Sequence, residues 1–163
     1  MSRLDSFIRR MQAQREILNQ TSEKVKDLPG PILEIGLGNG RTYDHLRELM
    51  PEREIFVFDR AVNAHPSCIP EDKYLLLGEV EETLANCSDK IEEQAVLIHS
   101  DIGVGDPVDN VNISRWLSPL IDERTAAQGI VVCNMVLTLP NFDELPLPDG
   151  IKPGRYFVYQ KRA

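Results

Sequence analysis

Cysteine is scarce in this chain: Cys68, Cys87 and Cys133 are the 3 present among 163 residues, and they stand far apart with no CxxC pair. An odd, scattered set argues against both a disulfide scaffold and a structural zinc site, and it points to a reducing compartment. Basic residues are also in short supply, 18 against 26 acidic ones, for a net charge of −8. Such a surface repels phosphate backbones, which disfavours a general nucleic-acid binder. No apolar run approaches the ~20 residues that cross a bilayer. The opening MSRLDSFIRRMQ lacks the continuous apolar stretch of a secretory signal. Repeats of fixed period and low-complexity segments are missing too. A cytoplasmic chain folding as one domain over 1–163 is the expectation.

What is present is an alternation of helical and strand-like patterns, in a chain with 42% hydrophobic residues to bury. Leu4, Phe7, Ile8, Met11 and Leu18 recur at spacings of three and four, which predicts an amphipathic helix within 1–28. Leu28-Pro29-Gly30-Pro31 punctuates its end. Apolar strands are expected at Ile32–Ile35, Ile55–Phe58, Tyr74–Leu77, Ala95–Ile98, Gly129–Leu137 and Arg155–Tyr159. Helical stretches separate the first five; one carries Val80, Leu84 and Ile91, and another Ile113, Trp116, Leu117, Leu120 and Ile121. Near-continuous apolar strands alternating with helices predict an α/β fold with a mostly parallel sheet covered on both faces. Ligands in such folds gather at the carboxyl ends of the strands.

The first strand runs into Glu34-Ile35-Gly36-Leu37-Gly38-Asn39-Gly40. Glycines there permit a tight turn and close approach of a ligand to the backbone, and the following helix offers unpaired N–H groups. A second strand ends on Asp59, in IFVFD, where a carboxylate can accept from ribose hydroxyls. A dinucleotide cradle needs GxGxxG, whereas this loop reads GLGNG with Arg41 where the longer pattern has its last glycine. The spacing fits a pyrophosphate poorly.

LEIGLGNG followed by FVFD resembles the two leading motifs of the class I S-adenosylmethionine-dependent methyltransferases. More narrowly, the short acidic chain is similar to a small bacterial S-adenosylmethionine methyltransferase-like group. The resemblance covers residues 30–137, the expected cofactor-binding core, and implies a Rossmann-like fold with S-adenosyl-L-methionine as cofactor. It implies that Glu34 anchors the loop and the methionine end, and that Gly36, Gly38, Asn39 and Gly40 pass close to the cofactor. Asp59 would hold the ribose, Gly78, Glu79 and Val80 would bracket adenine, and His99 and Ser100 would face the methionine moiety. Arg60 departs from the family's usual apolar residue, and its guanidinium is expected to stack on adenine or pair with Asp59 or Glu79. The carboxyl-terminal end is also compressed: Pro140, Pro146, Pro148 and Pro153 leave no room in 138–163 for a full helix-strand unit, only a loop and a last strand.

Methyl transfer needs a nucleophile held in line and, for some acceptors, deprotonated. Asp101 and His99 end the fourth strand and, two apart, share a direction, so they are the candidate catalytic pair. Asp101, Asp106 and Asp109 are spaced as Mg²⁺ ligands can be, but such clusters are common on acidic surfaces and no metal is expected. The expected acceptor is a small molecule. With no substrate domain, a homo-oligomer is expected, without general nucleic-acid or membrane binding. The amphipathic first helix has to pack on the sheet, cover the mouth of the site or enter the oligomer interface, and the sequence does not choose among these. Two alternatives stay open: a non-catalytic S-adenosylmethionine-binding regulatory or structural protein, and an NAD(P)-dependent oxidoreductase.

Overall fold

Residues 2–163 are described by a computed structural model. The chain enters through α1 (Arg3–Val25), whose first turn is closed reciprocally. Ser2 Oγ accepts from the Asp5 N–H at 3.0 Å, and the Asp5 carboxylate accepts from the Ser2 N–H at 3.2 Å. Only the later turns of α1 are packed down, through Ala13, Ile17, Leu18, Thr21 and Val25, while Leu4, Phe7 and Ile8 stay exposed. Arg53 then clasps the turn that follows, donating to the carbonyls of Leu28 and Gly30 at 2.6 and 2.7 Å.

The elements after α1 are β1 (Ile32–Ile35), α2 (Arg41–Leu49), β2 (Ile55–Asp59), β3 (Leu75–Leu77), α3 (Val80–Ala85), β4 (Ala95–Ser100), α4 (Pro107–Arg124), β5 (Thr125–Cys133), β6 (Phe142–Leu145) and β7 (Phe157–Lys161). They form one seven-stranded sheet in the order β3-β2-β1-β4-β5-β7-β6. β1 to β5 run parallel, and β7 lies antiparallel between β5 and β6. Side chains alternate across the sheet: Ile32, Val57, Leu97 and Val132 pack with α1 and α2, and Leu33, Phe58, Ile98 and Val131 with α3 and α4. Each of these fully buried side chains contributes roughly 1.5–3 kcal/mol. Among the described residues, no helix is long and apolar enough to cross a membrane.

Three expectations are corrected by the structure. The regular part of β5 begins at Ile130, because a bulge with Gln128 at φ 65° breaks the ladder to β4, and the strand ends at Cys133 rather than Leu137. Ile91 is not on the third helix, which stops at Ala85; it reaches the core from beyond a 3-10 turn at Cys87–Asp89. The carboxyl-terminal segment holds a strand that was not expected, β6, with Phe142 paired opposite Lys161 of β7. The absence of a helix before it agrees with the proline-rich sequence. In its place Met135, Leu137 and Leu139 are buried in alternation with exposed Val136 and Thr138, so an extended segment covers the α4 face of β5 and β7.

β6 is the outermost strand on that side, and Arg162 ties it down. The guanidinium meets the Asp143 carboxylate at 2.7 Å and the Pro140 carbonyl at 3.0 Å.

Candidate functional site

The parallel strands end together at one rim of the sheet, and a cavity of about 680 Å³ opens there. That volume lies within the range of small-molecule sites. Its floor is the loop joining β1 to α2. Gly36 sits at φ +93°, and a Cβ on it would lie 2.8 Å from Ile102 Cγ2, so no other residue fits between the loop and the segment after β4. Gly38, at φ +50°, has no atom within 4 Å of where a Cβ would stand, which leaves its backbone open to a ligand.

Beneath the loop lies a buried polar pair. Glu34 is 0% exposed and His99 is 1% exposed. The His99 Nδ1–H donates to Glu34 Oε2 at 2.8 Å, and the Thr42 hydroxyl of α2 donates to the other carboxylate oxygen. A buried carboxylate is tolerable only when its lone pairs are answered in this way. Burial is the largest single influence on His99 and disfavours its charged form. The Glu34 charge and hydrogen bond, with a weaker contribution from Asp101, outweigh it, so the His99 pKa lies above its ordinary value of 6.5. The pair staples β1, β4 and α2 together under the glycines.

Asp59, at the end of β2, also holds the loop. Its Oδ2 accepts from the N–H groups of Leu37 and Gly38 at 2.8 and 3.2 Å, and Oδ1 accepts from the Arg60 N–H at 2.6 Å. A fourth, longer contact comes from the Ala61 N–H to the same Oδ1 at 3.5 Å, so all of the carboxylate's lone-pair positions are engaged. Arg60 does not pair with Asp59 through its side chain; its Nε donates to Glu79 Oε2 at 3.0 Å, across the exposed lip of the cavity.

Asp101 stands at the far side of the floor, half-buried, where Gln14 Nε2 of α1 donates to its Oδ2 at 2.9 Å. The backbone after it is fixed by Asn134, which accepts from the Gly103 N–H at 2.9 Å and donates to the Gly103 carbonyl at 3.0 Å. Asp106 caps α4, accepting from the N–H groups of Val108 and Asp109 at 2.8 and 3.2 Å. Among the described residues, no three His, Cys, Asp or Glu side chains are grouped to hold a metal ion.

The family model for S-adenosyl-L-methionine methyltransferase matches residues 1–161. The chain belongs to this methyltransferase family. It is also 42% identical to the S-adenosyl-L-methionine methyl transferase from Silicibacter pomeroyi DSS-3, with 99% of each chain covered and a TM-score of 0.91. More distant matches share the fold. Human methyltransferase-like protein 13, solved in complex with SAH, is 12% identical with a TM-score of 0.57, over 94% of this chain and 81% of that one. A putative methyltransferase from Thermoplasma acidophilum is 11% identical with a TM-score of 0.52, over 82% and 69%. Comparison with curated proteins gives no match. The methyltransferase uses S-adenosyl-L-methionine as its methyl donor, and its sheet is the mostly parallel one expected from apolar strands alternating with helices.

In this methyltransferase the residues expected to bind the donor divide into two groups. Gly36, Gly38, Asn39, Asp59, Arg60, Glu79 and Val80 are on the cavity wall with Asp101. Glu34, Gly40, Gly78, His99 and Ser100 are not among the wall residues. Ser100 is fully buried and points to the α4 face beside Cys133, whose thiol burial pushes up to about 11. His99 shares the α1 face with Asp101, as alternation requires, but as a base touching an acceptor it is misplaced: its ring is shut in against Glu34. Sequence reasoning did not place Met11 and Gln14 of α1, Ile102, or Ile113 and Trp116 of α4 at the site, and had Arg10 only as one of several arginines able to meet an anion; all are on the wall. Trp116 was expected to be core, and it does both, packing on the core with one side.

Proposed function

We propose that the methyltransferase holds its donor across the cavity floor and serves a small-molecule acceptor at Asp101. The donor, when bound, supplies an electrophilic methyl group on a sulfonium. The residues fit it: open backbone at Gly38, a carboxylate at Asp59 whose longest contact, to the Ala61 N–H at 3.5 Å, a ribose hydroxyl would replace, and apolar side chains with one flat indole for a purine. Val80, Ile102, Ile113 and Trp116 would embrace adenine, with Arg60 and Glu79 at its edge and Gly78 turning the chain towards them. Gly36, Asn39 and Gly40 shape the loop along the methionine portion. Glu34 and His99 act from beneath as positioning residues, and Ser100 backs the rim.

The observation that carries the reading is the placement of Asp101, a half-buried carboxylate on the wall between the glycine loop and α1. There it can orient an acceptor or take its proton, and Gln14 fixes its rotamer. Asp101→Asn keeps the shape and removes the charge. The expected result is a methyl-transfer rate about 10²-fold lower, with donor affinity changed less than about threefold. A wild-type rate in that variant would remove Asp101 from the chemistry. Supplying labelled donor to the small-molecule, protein and nucleic-acid fractions of a cell extract tests the acceptor class; label entering only macromolecules would overturn it.

The same reading takes the whole chain as one catalytic domain in the cytoplasm, working as an oligomer. Support for assembly comes from Leu4, Phe7 and Ile8, which are 65%, 44% and 43% exposed along one side of α1. Light scattering should report more than one chain at micromolar concentration, and a monomer throughout would refute the assembly.

A further inference from the structure

Donors without acceptors gather beneath α1. Tyr156, the residue before β7, is 2% exposed, and among the described residues its hydroxyl has no hydrogen-bond partner. Arg10 Nε is likewise buried and unpartnered, although Arg10 is on the cavity wall. Gln14, one helical turn after Arg10 on the same face, is 5% exposed and gives an amide hydrogen to Asp101. Its second amide hydrogen is left over.

Tyr156 packs against α1 in the apolar cluster that holds Ala13 and Ile17, on the same face of the sheet as Arg10 and Gln14. Burial is the main influence and raises its pKa, the Asp101 charge raises it further, and Arg10 and Arg155 pull the other way without prevailing. The phenol therefore keeps its proton and can only gain by donating it. Asp101 is the nearby acceptor, but Gln14 already holds it. Buried donors left unmade are expensive and rare; Arg10 and Gln14 carry theirs on the cavity wall and Tyr156 lies behind it, which marks a place where a ligand supplies the missing acceptor.

We propose that Arg10, Gln14 and Tyr156 form a carboxylate-binding subsite beside Asp101. This rests on the reading of the cavity as the donor site. One guanidinium and two neutral donors match a planar anion of single charge. A doubly charged phosphate would be repelled by Asp101 at the same place. The carboxylate can come from either reactant: the methionine portion of the donor, or the acceptor itself.

Isothermal titration with two nucleosides separates these sources. S-adenosylhomocysteine carries the amino-acid carboxylate, and 5′-deoxy-5′-methylthioadenosine does not. Two variants are compared with the wild type: Arg10→Met, which keeps the apolar stem, and Tyr156→Phe, which deletes a hydroxyl that has no partner and so should fold at least as well. If the donor fills the subsite, Arg10→Met weakens S-adenosylhomocysteine by about tenfold or more and Tyr156→Phe by about threefold. Methylthioadenosine then changes less than about twofold in both. If the acceptor fills it, S-adenosylhomocysteine affinity is unchanged. Acetate, benzoate or succinate then raises the melting temperature of the wild-type S-adenosylhomocysteine complex, and both variants lose that rise. The proposal is overturned if neither pattern appears, or if both nucleosides weaken equally, which would mean that α1 had merely shifted. A wild-type protein that binds neither nucleoside refutes the donor-site reading itself.

Discussion

The wall of the cavity made by the glycine loop and β2 differs in kind from the wall made by α1 and α4. On the first, the carboxylates are already engaged by their own neighbourhood: Asp59, on the wall, holds loop N–H groups, and Glu34, beneath it, is bonded by His99 and Thr42. On the second, polar atoms wait. Gln14 reaches Asp101 from across the chain, and Arg10 Nε and the Tyr156 hydroxyl have no partner among the described residues. The loop wall is thus fixed by its own bonds before any ligand arrives, whereas the helical wall keeps unspent hydrogen-bonding capacity. Substitutions should therefore hurt the two walls differently, through folding on one and through chemistry or recognition on the other.

The largest effect is expected at Glu34→Ala. It strips His99 and Thr42 of their shared partner in the core, and chemical denaturation should show a loss of about 3–5 kcal/mol. A loss under about 1 kcal/mol would mean that the pair is not what braces the loop. At Asp59→Ala, donor affinity should fall by about tenfold, with some loop loosening because two N–H groups lose their acceptor. Titration calorimetry measures this, and unchanged affinity would place the ribose elsewhere. On the helical wall, Gln14→Ala frees Asp101 and should lower the transfer rate by several-fold, with a stability change near 1 kcal/mol. Equal damage to rate and fold would erase the distinction between the walls.

A subtler contrast lies in pH. His99 has a raised folded-state pKa, so its pairing stabilises the protein fully below the ordinary value of 6.5 and less as the pH climbs through the raised value. The stability advantage of the wild type over His99→Gln should therefore be larger near pH 6 than near pH 9. An advantage that grew towards alkaline pH would reverse the assignment. The smallest effect is expected at Arg60→Ala, where an exposed ion pair with Glu79 is lost and donor affinity should move by less than about threefold.

The same contrast explains what could be read from the sequence. The loop wall is local: LEIGLGNG and IFVFD carry their own turn chemistry, strand pattern and charge, and the residues they named lie on or directly under the floor. The helical wall depends on which turn of α1 meets the end of β4, and no spacing within 1–28 encodes that. Arg10 is one of several arginines in that stretch, and nothing in the sequence sets Gln14 apart from its polar neighbours. Trp116 fell on the apolar face of its helix, which is true of it and still leaves one side for a ligand. β6 escaped because Phe-Asp-Glu-Leu has two consecutive acids and a proline on either side, so only pairing with β7 makes it a strand. Alternation put Asp101 and His99 on one face of the sheet, but it could not show that His99, two residues earlier, lies beneath the loop.

The way the sheet is finished at its two margins bears on how copies of the protein can meet. An unpaired strand with free backbone groups invites a second molecule to add its own strand, the common route to aggregation. Here one margin is β3, only 3 residues long, and the other is β6, with Asp143 and Glu144 exposed along it and Arg162 folded back on Asp143. Shortness guards one side and charge the other. Strand-to-strand growth is discouraged at both, which turns a partner copy towards the helices and leaves the rim where the parallel strands end to chemistry rather than to polymerisation.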